Sequence, residues 1–238
     1  MSGGVSGVTA VGRQDRIFAS VLGNWRDNFD SKAFDQASLT GTAGFAHTFA
    51  NRDVISLSAQ VQGFWLGQKS YRTAYGAIAQ YTRRLGANKA LAVSLQYNRF
   101  DYKGDPLRTS DRFAVGIGLV TRRLSANLIA GHEETRVQAG DANSNRFAGA
   151  SIAAEIPVTK NVALVAGAAF DLRRYDRADP LFLTKRRDER LDVSAAVKVA
   201  VLPNVFLQPR VTYARNHSNI ALYDHDRWTA TLSARVEF

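Results

Sequence analysis

Residues 227–238 read Arg227-Trp228-Thr229-Ala230-Thr231-Leu232-Ser233-Ala234-Arg235-Val236-Glu237-Phe238. Trp228, Ala230, Leu232, Ala234, Val236 and Phe238 take every second position. Arg227, Thr229, Thr231, Ser233, Arg235 and Glu237 take the others. A period of two is that of a β-strand with one apolar and one polar face. A helix would scatter the two arginines and the glutamate through its apolar stripe.

The same alternation recurs throughout. Leu191, Val193, Ala195, Val197, Val199 and Val201 alternate with Arg190, Asp192, Ser194, Ala196, Lys198 and Ala200. Ile55, Leu57, Ala59 and Val61 alternate with Ser56, Ser58, Gln60 and Gln62, and Leu91, Val93, Leu95 and Tyr97 with Ala92, Ser94, Gln96 and Asn98. By this criterion the chain divides into about twelve strands. They fall near 15–25, 36–49, 53–66, 70–84, 89–102, 109–121, 124–137, 145–157, 161–175, 187–201, 204–217 and 226–238. Soluble strands average about 5–6 residues, whereas a tilted membrane-spanning strand needs about 9–11.

The connections alternate too. Short turns stand at Asn51-Arg52, Gly86-Ala87-Asn88, Arg122-Arg123, Thr159-Lys160 and Pro203-Asn204. Longer polar connections lie near 26–35, 103–109, 138–144, 177–186 and 218–225, with 67–70 a short member of that set. Short periplasmic turns and longer extracellular loops mark an outer-membrane barrel. The expected fold is therefore all-β: an antiparallel transmembrane β-barrel of about 12 strands, with 14 as the alternative. Residues 15–238 form the barrel. Residues 1–14 form a lead-in and are the likeliest place for an extra strand. An even count puts both termini on the turn side. Aromatic residues fall near strand ends as girdles: Trp25, Trp65, Tyr71, Tyr213 and Trp228 toward the loops, Phe49, Tyr81 and Phe238 toward the turns. Outer-membrane barrels commonly end in such an aromatic residue, which the barrel-assembly machinery reads. Phe238 stands at that position.

Composition narrows the function classes. The 238 residues carry 31 Lys plus Arg against 21 Asp plus Glu, a net charge of +10, with no cysteine. Thiolate metal sites, disulfides and a cysteine nucleophile are excluded. No apolar run approaches the about 20 residues of a spanning helix, the longest being 162–170. Charge interleaved with acid at period two is no basic stripe, so nucleic acid is not an expected partner. Parity places Arg190, Asp192, Lys198, Arg210, Arg227, Arg235 and Glu237 in the lumen, because a lipid-facing arginine near the midplane costs about 2–4 kcal/mol. The remaining basic charge suits anionic lipopolysaccharide.

Two stretches carry a family resemblance. One is Ala178-Asp179-Pro180-Leu181-Phe182, followed by Lys185-Arg186-Arg187-Asp188-Glu189-Arg190. The other runs Asn216-His217-Ser218-Asn219-Ile220-Ala221-Leu222-Tyr223-Asp224-His225-Asp226-Arg227. They resemble the C-terminal barrel of the surface lipoprotein assembly modifier (Slam) family, with His225 where the family usually has tyrosine. The resemblance implies a non-enzymatic outer-membrane translocator of a Gram-negative bacterium. Its cargo would be lipoproteins, or soluble haem- and metal-acquisition proteins, moved to the cell surface. The family barrel is described with fourteen strands and usually follows a periplasmic tetratricopeptide domain, of which this sequence carries no repeat signature.

In the second stretch, Asn219 favours a turn. Asp224, Asp226 and Arg227 are placed to pair where the loop enters the lumen, and Tyr223 and Leu222 to pack on the rim. No cofactor is expected, and no HExxH, GxSxG, P-loop or dinucleotide fingerprint occurs. His132 with Glu134 is a weak metal or acid–base candidate, and His217 and His225 with Asp224 and Asp226 form the one constellation a hydrolase would need. The alternatives to translocation are a passive channel for small, anionic solutes and, behind it, an outer-membrane hydrolase.

Overall fold

The computed structural model describes residues 2–28 and 31–236. Thirteen strands make one sheet in sequence order. They are β1 (Ser2–Ala10), β2 (Asp15–Arg26), β3 (Gln36–Thr48), β4 (Val54–Leu66), β5 (Lys69–Gly86), β6 (Lys89–Tyr102), β7 (Ser110–Thr121), β8 (Leu124–Thr135), β9 (Asn145–Pro157), β10 (Val162–Ala178), β11 (Lys185–Leu202), β12 (Val205–Ser218) and β13 (His225–Val236). Among the described residues the only helix is four short 3-10 turns, at 32–34, 106–108, 138–143 and 221–223. All four lie in the longer connections.

The count is thirteen, not twelve or fourteen. The added strand, β1, pairs with β2 from Ser2–Asn24 to Ala10–Arg16. Its sequence, SGGVSGVTA, carries too few large apolar residues to announce a strand by alternation. An odd number also means that the described chain enters on the side of the long connections and leaves on the side of the short turns. The expectation of both termini on the turn side does not hold.

Burial reverses that of a soluble protein. Among the described residues only Ala74, Ala114, Phe147, Ala196 and Ile220 are buried apolar side chains. Leu57, Val61, Leu95, Phe113 and Leu128 are exposed, and Trp228 and Leu232 are 70% and 74% exposed. Water does not tolerate apolar faces on this scale, but hydrocarbon solvates them.

Contacts divide the chain into two compact units. The first comprises Met1–Arg84, Ala92–Gly116 and Gly131–Asn145. On its apolar face, register aligns Gly7, Ala19, Ala43, Ala59 and Ala77 across β1 to β5. Ile17, Phe45 and Leu57 form the adjacent row. On its polar face Arg72 donates to Gln62 at 2.8 Å and Gln62 to Thr40 at 3.1 Å. Trp25 and Trp65 flank Ala37 on the apolar face. Tyr71, expected beside them, does not join that girdle. A β-bulge opposite Phe64 and Trp65 re-aims it. Its ring meets Phe64 and Tyr102 edge-on, at 5.9 and 5.6 Å.

Long connections in this unit dock on one another. The Asp35 carboxylate accepts from the Asn28 N–H at 2.8 Å, and the Asp35 carbonyl from the Gly67 N–H at 2.9 Å. Gly67 has φ +53° and lies so close to Ala33 that a Cβ would meet its carbonyl at 2.9 Å, which reserves the position for glycine. Connections 103–109 and 136–144 join through Arg136 N–H to the Thr109 carbonyl, 2.9 Å.

On the turn side, the buried carboxylate of Asp53 accepts from the Tyr81 hydroxyl (2.6 Å), the Asn51 amide (2.8 Å) and the Arg84 N–H (3.0 Å). The Tyr81 bond above all holds Asp53 below the usual carboxylate pKa, against the upward push of burial. A lowered folded pKa stabilises the fold above the unfolded value and loses that contribution as pH falls through the folded one. Asp53→Asn is expected to lower the thermal midpoint of the detergent-solubilised protein at pH 7. The gap to wild type should close in acid, below the folded pKa. Equal midpoints at pH 7 would show that this carboxylate does not hold the turn.

Candidate functional site

The second unit comprises Leu85–Leu91, Ile117–Ala130 and Arg146–Phe238, and contains all of β10 to β13. Register sorts its side chains. Phe170–Leu191, Ala168–Val193, Ala166–Ala195 and Leu164–Val197 are cross-strand pairs on one face of β10 and β11. The same face continues through Tyr213–Trp228, Val211–Ala230, Pro209–Leu232 and Leu207–Ala234. The Tyr213 and Trp228 rings meet at 4.8 Å.

The opposite face holds the expected charges. Arg190 donates to Asp192 at 2.7 and 3.0 Å. Lys198 reaches Glu155 at 3.4 Å and lies 5.3 Å from the Phe206 ring. Arg210 stands opposite Ala196 and Thr231, Arg227 opposite Ala214, and Arg235 opposite Phe206. Glu237 and Phe238 lie outside the described residues.

At the loop ends of these strands the two motif stretches meet. Arg186 and Asp188 sit two apart on β11, hence on one face. Three guanidinium–carboxylate contacts of 2.6 to 3.0 Å join them. Asp188 is 6% exposed. Two tyrosine rings enclose the same guanidinium, with Tyr175 at 4.7 Å and Tyr223 at 3.5 Å from its central carbon. Tyr175 comes from β10 and Tyr223 from the 219–224 loop. Arginine suits the position because its flat, delocalised cation stacks on aromatic faces while its edge donates to a carboxylate.

Asn219 performs a second join. Its side-chain oxygen accepts from the Arg187 N–H at 2.7 Å, and its amide donates to the Lys185 carbonyl at 2.9 Å. It thus occupies both backbone groups of β11 where that strand begins. Ile220, next to it, is 3% exposed.

Asp224 completes the loop. It accepts from His217 Nδ1 at 2.9 Å and from the Ser218 N–H at 3.3 Å, and pairs with Arg215 at 2.7 Å. Burial, the largest single influence, pushes its pKa up. The hydrogen bonds from His217 and Ser218 and the positive charge of Arg215 outweigh it and hold the carboxyl below its ordinary value. Asn216 donates to the Tyr223 carbonyl at 2.6 Å.

The 179–184 loop carries its own scaffold. The Asp179 side chain caps the Leu181 and Phe182 N–H groups at 2.9 and 3.3 Å. Its backbone bonds Thr184 at 2.9 Å and Leu183 at 2.8 Å. Leu183 is held at φ +52°, an uncommon conformation for a branched residue. The Tyr223 hydroxyl lies 3.5 Å from Asp179.

The expected trio of Asp224, Asp226 and Arg227 does not assemble. Asp226 and Arg227 are strand neighbours in β13 and face opposite ways. Asp226 stands opposite Arg215, and Arg227 opposite Ala214. The Tyr223 ring packs on Arg186, whereas Leu222 is 68% exposed. The Arg186–Asp188–Tyr175 cluster was missed in the sequence reading, although Arg186 and Asp188 share strand parity. That parity was the available signal.

The arrangement is a lock between loops. Its release should be readable. Asn219→Ala and Tyr223→Leu are each expected to speed limited proteolysis within 179–184 and 219–224 while leaving the strands protected. Acid that protonates Asp224 should do the same in the wild type. Unchanged cleavage in both variants would mean the loops are held by other contacts.

The family model described as "surface lipoprotein assembly modifier" matches residues 19–238. No curated protein matches the chain. Among solved structures, OprD of Pseudomonas aeruginosa superposes with TM-score 0.50 at 10% identity, covering 98% of this chain and 69% of that one. A structure titled KdgM porin gives TM-score 0.45 at 12% identity, covering 93% and 99%. At such identities the OprD likeness speaks to fold alone.

Proposed function

The chain belongs to the surface lipoprotein assembly modifier family, and on that premise we propose that it is a non-enzymatic outer-membrane barrel through which lipoproteins reach the surface of a Gram-negative cell. The family match over residues 19–238 carries this reading. It takes in both motif stretches and β3 to β13 entire.

Physical chemistry supports the location. Strands of 12 to 18 residues from β2 onward are long enough to cross a bilayer at a tilt. Their outward apolar faces would cost little in hydrocarbon. Open sheet edges there would cost several kcal/mol for each unpaired backbone group, so in this reading the sheet closes on itself. The polar face bearing Arg190, Asp192, Lys198, Arg210 and Arg227 then becomes the lumen. The locked loops stand at the extracellular mouth, where an emerging lipoprotein would meet them.

The test is surface display. The protein is co-expressed with a candidate surface lipoprotein, and intact cells are treated with protease. Lipoprotein degraded only when this protein is present is the expected result. Lipoprotein equally exposed in its absence would overturn the proposal. Heat-modifiable migration on a gel checks in parallel that the barrel has folded.

A further inference from the structure

The outward face of β10 and β11 carries an electrostatic oddity above its apolar band. Arg174 and Arg187 are direct cross-strand partners, and both are exposed. They follow the parity of Phe170, Leu172, Glu189 and Leu191, the apolar side of the ladder, rather than that of Arg186 and Asp188. Like charges directly opposite one another destabilise a sheet. Three other arginines of this unit have an acid partner: Arg146 reaches Asp176 at 3.7 Å, Arg190 reaches Asp192 at 2.7 Å, and Arg215 reaches Asp224 at 2.7 Å. Among the described residues no carboxylate lies within ion-pair distance of Arg174 or Arg187, though Glu189 shares their face two residues along β11. Exposed Arg177 and Lys185 extend the positive charge at the ends of the same strands.

Height matters as much as sign. The last wholly apolar pair below is Phe170–Leu191, four residues down the ladder. Four residues span about 13 Å of strand, or about 10 Å along the membrane normal at the usual tilt. An arginine side chain can lower its charged end further toward the interface. That places two adjacent, uncompensated guanidinium groups at the headgroup layer, on the side of the long loops. In the outer leaflet this layer is built of phosphorylated glycolipid. Guanidinium binds phosphate oxygens through paired, charge-assisted hydrogen bonds.

We propose that Arg174 and Arg187 form a clamp for a phosphate group of lipopolysaccharide, which supplies the negative charge this cross-strand pair lacks. The inference rests on the outer-membrane reading and adds to it a lipid, a site and two residues. A bound phosphate would also anchor the strands that carry Tyr175 and Arg186, and so brace the locked loops from outside.

The test uses the full chain in detergent, with native mass spectrometry reading the bound lipid. Bisphosphorylated lipid A is compared with dephosphorylated lipid A and with phosphatidylglycerol, for wild type, Arg174→Gln, Arg187→Gln and the double variant. Each substitution should weaken bisphosphorylated lipid A about fivefold, the worth of one interfacial cation. Neither should lower the thermal midpoint in lipid-free detergent, since each relieves a like-charge contact. Lys160→Gln, on the opposite turn, should leave binding unchanged. Equal binding by the double variant, or equal binding of dephosphorylated lipid A, would overturn the clamp. Phosphatidylglycerol binding as tightly through the same arginines would overturn its assignment to the outer-leaflet glycolipid. Heat-modifiable migration retained in such a result would leave the barrel reading standing while the clamp fell.

Discussion

Hydrocarbon offers a peptide group no partner, so a chain that crosses it as strands must satisfy every backbone N–H and C=O within its own sheet. The rest of this structure follows from that constraint. Pairing each strand with its sequence neighbour meets it for the inner strands with the shortest connections an antiparallel sheet allows. The pleat then sends alternate side chains to opposite faces, and one face must be acceptable to lipid. On β12 and β13 that face reads Leu207, Pro209, Val211 and Tyr213 beside Trp228, Ala230, Leu232 and Ala234, without a charge among them. Arg210, Arg227 and Arg235 of the same strands fall on the other face by parity alone, and Arg215, which shares the apolar side's parity, stands beyond that band opposite Asp226.

The constraint relaxes where the strands leave the membrane, and there side chains take over from the ladder. Asn219 supplies an oxygen and an amide to the backbone of β11 at Arg187 and Lys185, in effect substituting for a strand that has ended. Tyr223 adds the stack on Arg186. Asp188, buried beneath, keeps that arginine from being an unpaired cation in a drying environment. Each group in this cluster is needed by the next. That accounts for two separated stretches of sequence, 178–190 and 216–227, carrying a recognisable pattern together: they are two halves of one contact.

What could be read from the sequence divides along the same line. Twelve strands and the faces of Arg190, Asp192, Lys198, Arg210 and Arg227 follow from parity, because a membrane strand must alternate. β1 could not be read in this way, since SGGVSGVTA has too little contrast between its faces. Tyr71 was misplaced because a single inserted residue at the bulge inverts parity locally, and nothing in the residues 69–72 marks it. The partners of Asp224 lie in a loop, where no period operates. Proximity in sequence pointed to Asp226 and Arg227, whereas the fold supplies Arg215 and His217.

Arginine is the residue through which the chain manages the boundary between these regimes, and its settings differ in kind. Arg190 and Arg215 are partly exposed and neutralised by a carboxylate within 3 Å. Such pairs contribute little net energy, but they keep a wet face from repelling itself. Arg186 is enclosed by rings and an aspartate, so salt in the surrounding water screens it poorly. Arg174 and Arg187 face outward with no carboxylate in ion-pair contact, where salt screens their repulsion and a divalent or polyvalent anion can cancel it. A sheet could have avoided that repulsion by placing a threonine at either position. In the proposed clamp the pair stands at a headgroup layer, and the membrane supplies the missing half of the interaction.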